Sequence, residues 1–164
     1  MWNDKRGLTI IEVLAAVGIF VLGGLGVFAL IQQITSFSQE GADRLTASLL
    51  AQEGVEIVKN IRDTNFLKIH KGDSGADWMD GLCDGICHAD YASAQLSTSQ
   101  PIPYLSIDGD GFYQYLSGTE TRFKRDIATQ LLPSGDLGVT VTVYWVEKGQ
   151  TKEVIVEARL YNWL

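Results

Sequence analysis

Glu12 is the residue that most needs a chemical account. It stands just inside an apolar run, and no other charged residue occurs between it and Glu40. A carboxylate in a membrane-like helix costs a few kcal/mol, on the order of 2.5–3.5, and usually marks a function with a partner. The plainer alternative is a side chain near the interface that snorkels to water. Cys83-Asp84-Gly85-Ile86-Cys87 is the second chemical cluster, followed at once by His88. These are the only cysteines, and a disulfide closing a tight loop is expected if the domain lies outside the cytoplasm. Zinc on Cys83, Cys87 and His88 would lack a clear fourth ligand, because the other histidine is His70. Reduced thiols are the remaining alternative. Asp108-Gly109-Asp110-Gly111 is the third cluster, with Asp108 and Asp110 as calcium candidates. A full calcium loop needs an acid at its twelfth position, which here is Thr119. A turn between two strands explains the same residues. Gly72-Asp73-Ser74-Gly75 holds a serine in a nucleophile-like setting, but His70 is too close to serve as its base. No nucleophile and base converge, so the chain is not expected to be an enzyme, and no cofactor is required.

The elements that must position these groups begin with the apolar run. Val13 to Ile31 holds only apolar residues and glycine. As a helix it would span roughly 28 Å at 1.5 Å per residue, near the hydrocarbon thickness of a bilayer. It has no polar face, which disfavours a buried core helix. The far end, Ile31-Gln32-Gln33-Ile34, has no small-residue cleavage site, which disfavours a secretory signal peptide. A retained membrane helix is therefore expected. Lys5 and Arg6 precede it, so residue 1 is expected in the cytoplasm and the remainder outside. Gly18, Gly23, Gly24 and Gly26 within it suit either close helix packing or the ordinary glycine enrichment of membrane helices.

From Gln39 to about Phe66 the pattern is amphipathic, with Leu45, Leu49, Leu50, Ile57, Val58 and Ile61 at helical spacing. Glu56 with Lys59, and Lys59 with Asp63, are spaced for weak helix pairs. Nothing breaks this segment from the apolar run, so one helix is expected from about Leu8 to about Thr64. Residues 65–104 are irregular and rich in Gly, Asp and Ser. Strands are expected at Phe112–Leu116, Thr121–Ile127, Leu137–Val146 and Glu153–Leu164, the last two joined by a hairpin around Gly149. The result is an α+β fold, with an antiparallel sheet of about four strands covered by the amphipathic half of the helix. The net charge is −7, and Gly72 to Thr121 has no Lys or Arg. That argues against nucleic acid or anionic lipid as the domain's main partner.

Lys5-Arg6-Gly7-Leu8-Thr9-Ile10-Ile11-Glu12-Val13-Leu14 resembles the leader and mature N-terminus of type IV pilins and pseudopilins. In that family a membrane peptidase cuts after the glycine and methylates the new terminus. The resemblance implies cleavage at Gly7, methylation at Leu8, and an assembly role for Glu12. Leucine stands at Leu8 where phenylalanine is usual. The implied parts are a cytoplasmic leader over 1–7, a membrane-spanning or filament-core helix over 8–38, and an extracytoplasmic pilin domain over 39–164. The α+β layout is similar to the pilin fold. The ending Leu160-Tyr161-Asn162-Trp163, more weakly, resembles the last strand of minor pilins of the pilus-modification group, and with the helix stretch Ala51-Gln52-Glu53-Gly54-Val55-Glu56-Ile57 it points to that subclass. The implied partners are prepilin peptidase, other pilin subunits, the assembly platform and the inner membrane. The implied destination is an extracellular pilus or an envelope filament. A type II secretion or competence pseudopilin is the neighbouring alternative, and a permanently tethered binding domain the distant one. Some pseudopilins bind calcium, which keeps Asp108 and Asp110 in view.

Overall fold

Thr9 opens the helix: its carbonyl accepts from the amides of Glu12 (3.0 Å) and Val13 (3.2 Å). Glu12 thus lies in the first turn, where the unpaired amides of a helix N-terminus favour a carboxylate. The computed structural model describes residues 9–162. Gly7, Leu8 and Trp163 lie outside the described residues.

Helix α1 runs over Ile10–His70 without interruption. It continues past the expected end at Thr64. The stop is chemical: Gly72 takes a positive φ of 88°, the Gly72 amide donates to Ile69 O (2.9 Å), and the Asp73 amide donates to Lys68 O (3.1 Å). This paired closure suits glycine, which has no Cβ to clash in that conformation. The sequence pattern suggests an end at the first polar cluster, whereas the last turns are held by Asn65 and Phe66, both buried.

Seven strands follow: β1 (Gly85–Cys87), β2 (Ser106–Ile107), β3 (Tyr113–Gln114), β4 (Thr119–Glu120), β5 (Lys124–Leu131), β6 (Leu137–Glu147) and β7 (Gln150–Leu160). The main sheet is antiparallel and four-stranded in the order β1-β5-β6-β7. A small sheet has the order β3-β2-β4. The α+β layout is therefore as expected, but the fourth main strand is β1, not the aromatic segment Phe112–Leu116. That segment contributes only Tyr113 and Gln114 to the small sheet. The β6–β7 hairpin turns at Lys148 (φ 50°) and Gly149 (φ 77°), the left-handed pair that a two-residue hairpin requires.

The chain divides into two units, one ending at Asp43 and one beginning at Arg44. In the second, the helix residues Ala47, Leu50, Ala51, Val55, Val58 and Ile61 are buried with Ile127, Val139, Val141, Val143 and Trp145 of the sheet. Leu45 and Leu49, expected among the inward residues, are instead exposed. The inward stripe is built on small residues, Ala47, Ala51 and Gly54, and the larger leucines fall on the adjoining face. Lys59 pairs with Glu56 (2.8 Å), while Asp63 takes Arg62 (2.8 Å) rather than Lys59.

Candidate functional site

Two arrangements stand out: the bare apolar length of α1, and the polar lock that fastens the second part of α1 to its sheet. In the first unit, the large apolar side chains from Ile10 to Phe37 are exposed on every side of the helix. Glu12 is the one charged residue between Ile10 and Gln39, and it is exposed. Among the described residues, α1 is the one helix long and apolar enough to cross a membrane. A Cβ added at Gly18, Gly23, Gly24 or Gly26 would meet nothing within 4 Å. The fold of the single chain therefore does not need those glycines.

The lock centres on Arg125, an inward-facing residue of β5 that is wholly buried. One terminal nitrogen, Nη1, donates to Leu50 O (2.9 Å) and to Glu53 Oε2 (3.0 Å). The other, Nη2, donates to Ala89 O (2.6 Å). One planar guanidinium thus ties the helix, the sheet and the loop after β1, which a single ammonium could not do with fixed geometry. A buried charge is tolerable only when paired and hydrogen-bonded in this way. Gly54 makes the approach possible: a Cβ there would lie 2.7 Å from Val141 Cγ1 and 3.2 Å from Arg125 Cδ. A second tie lies at the helix end. Buried Asn65 donates to Trp78 O (3.2 Å) and Asp80 O (2.7 Å), and Phe66 stacks on Trp78.

Cys83 and Cys87 are joined in a disulfide that brackets β1. Thr129 of β5 donates its hydroxyl to Cys83 O, adding a side-chain tie beside the β1–β5 ladder. Asp108 and Asp110 sit in the turn between β2 and β3. The Asp108 carboxylate accepts from the amides of Asp110 (2.9 Å) and Phe112 (2.9 Å), and from Gln114 Nε2 (3.2 Å). The turn itself thus engages the Asp108 carboxylate. Among the described residues, no group of three or more His, Cys, Asp or Glu is placed to hold a metal. The His88 ring packs edge-on against Tyr115, with centroids 5.0 Å apart. In the Gly72–Gly75 turn, Asp73 Oδ1 accepts from the Gly75 amide (3.1 Å).

Sequence reasoning did not single out Arg125 or Asn65, and it met Gly54 only as part of the stretch Ala51–Ile57. Arg125 had a readable signal: it shares the alternation of Ile127 and Thr129, so it had to point inward with them. Gly54 had one too, lying between Ala51 and Val58 on one helical stripe. No family model matches the chain, and no curated protein or solved structure matches it.

Proposed function

We propose that this chain is a structural subunit of a type IV pilus or related filament, by preference a minor pilin. In this reading it is cleaved after Gly7 by prepilin peptidase and assembled through its N-terminal helix. The observation that carries the reading is the first part of α1, apolar on every side, with Glu12 as its one charge. A helix apolar all round needs an apolar surrounding. Lipid supplies it before assembly, and the helices of neighbouring subunits supply it afterwards. The four open glycines leave room for such neighbours to approach.

Glu12 has a specific task in this scheme. It follows Leu8 by four residues in the sequence, and cleavage would free the amine of Leu8. A subunit displaced by about a turn would bring its amine to a neighbour's Glu12, and the two charges would compensate in an apolar core. The globular unit from Arg44 onward would form the exposed surface. The partners are the peptidase, other subunits and the assembly platform, with the inner membrane as the holding site. Secretion and competence pseudopilins use the same parts; the ending Leu160-Tyr161-Asn162 favours the minor pilin.

Mass spectrometry of the cellular protein tests this. A terminus at Leu8, methylated, and recovery of the chain in sheared filaments are the expected results. An intact Met1 on a chain that never leaves the membrane would make it a permanently tethered binding domain instead.

A further inference from the structure

His88 sits where the loop after β1 meets the sheet. Its backbone is bridged to Ser97 in both directions, at 2.9 Å each way. Its ring stands edge-on to Tyr115, with centroids 5.0 Å apart. Nε2 faces Ser99 Oγ at 3.4 Å, while Nδ1 is enclosed and has no hydrogen-bond partner among the described residues. The residue keeps only 7% of its surface in contact with water.

The charged and titratable groups around it come from four places. Asp126 on β5 and Asp90 on the loop act on the ring electrostatically. Asp126 accepts from Tyr144 Oη on β6 (3.3 Å). Asp90 accepts from the amides of Ala92 (3.2 Å) and Tyr115 (3.2 Å), and from Ser93 Oγ (2.7 Å). Tyr115 Oη donates to Arg125 O (3.5 Å), and the Arg125 side chain is committed to Leu50, Glu53 and Ala89. Lys124 lies over the Tyr104 ring at 4.4 Å.

We infer that His88 is an acid-sensitive latch, closing the segment from Ala89 to Leu116, which carries β2 and β3, onto the main sheet when neutral and loosening it when protonated. A neutral imidazole tolerates one enclosed nitrogen without a partner. An imidazolium carries a donor on both nitrogens, and the enclosed Nδ1–H would have neither water nor an acceptor. Opening the loop gives that proton to water. The nearby carboxylates pull the other way, but burial outweighs them and holds the His88 pKa below 6.5.

The direction follows from linkage. The open form takes a proton at the ordinary value, and the closed form resists it. Closure is therefore fully favoured above pH 6.5 and weakens as pH falls below it, down to the depressed closed-state value. Asp126 acts in the opposite sense. Burial raises its pKa, so its protonation favours closure as pH falls. The latch does not depend on the filament reading, since every group in it belongs to the globular unit.

Hydrogen exchange of the full chain in detergent micelles, corrected for intrinsic rate and followed from about pH 7.5 to about pH 5, is the test. Protection at His88, Ser97 and Tyr115 should fall by up to about tenfold per pH unit below 6.5, the limit for one proton. Protection in β6 and β7 should hold. His88→Gln should abolish the step, and His70→Gln, at the end of α1, should leave it. A flat wild-type profile, an unchanged step in His88→Gln, or an equal loss in β6 and β7 would overturn the latch. If His88→Gln does not fold, ring-proton NMR of the wild type decides. A His88 midpoint below 6.5 supports the latch, and one at or above 6.5 overturns it.

Discussion

At position 54, helix propensity and packing pull in opposite directions. Alanine in place of glycine inside a helix should add about 1 kcal/mol of stability. Here the new Cβ would lie 2.7 Å from Val141 Cγ1, and relieving that overlap costs about 1–3 kcal/mol. Gly54→Ala is therefore expected to destabilise the globular unit, with a lower denaturant midpoint. A higher midpoint would mean that the sheet can shift away from the helix at no cost. Arg125→Ala should cost more, about 3 kcal/mol, because it empties a wholly buried site and takes the Arg125 donor from the Ala89 carbonyl. A loss below about 1 kcal/mol in the same denaturation experiment would mean that water replaces the guanidinium freely. Strand alternation and the helical stripe mark both residues as inward, but not what they meet there. Their meaning depends on what lies across the helix–sheet gap.

Strand β5 and the segment around β3 act as a pair of elements joined through Tyr115. Burial pushes the Tyr115 hydroxyl up to about 12, with Arg125 partly offsetting and Asp90 and Asp126 adding to the rise. A phenol whose folded pKa is raised keeps its full contribution below its ordinary value of 10.0 and loses it as pH climbs from there to about 12. The contact between this segment and β5 should therefore weaken over that alkaline window, with loop amides exchanging first. Tyr115→Phe should remove the alkaline loss while sparing β6–β7 pairing. An identical alkaline profile in Tyr115→Phe would place the titration elsewhere. The long strands and the β6–β7 hairpin were legible because β-branched residues, the Pro133–Asp136 turn and Gly149 mark them locally. The short strand β1 was not, because it exists only by pairing Cys87 with Ile127 and Ile86 with Ala128, residues far apart in the chain that no local pattern connects.

For the whole molecule, the filament proposal separates two events at the N-terminus. Gly7→Ala is expected to block processing, so the variant keeps its leader and stays in the membrane. Glu12→Ala should be processed normally but assemble poorly, seen as a several-fold loss from sheared filaments. Normal assembly of Glu12→Ala would remove the charge-pairing account and leave Glu12 as a carboxylate suited to the first turn of α1. The sequence by itself determined the helix, its apolar length, the isolated carboxylate, the α+β class and the strong strands. Each of these is written in composition and short-range periodicity, which backbone geometry reads one element at a time. Only the tertiary structure decided which face of α1 is buried, where the helix stops, which segment supplies the fourth strand, and that Arg125 and His88 sit in enclosed polar settings. Those outcomes depend on long-range packing: small residues on α1 admit the sheet, and the buried polar groups must then find partners wherever the fold has brought them.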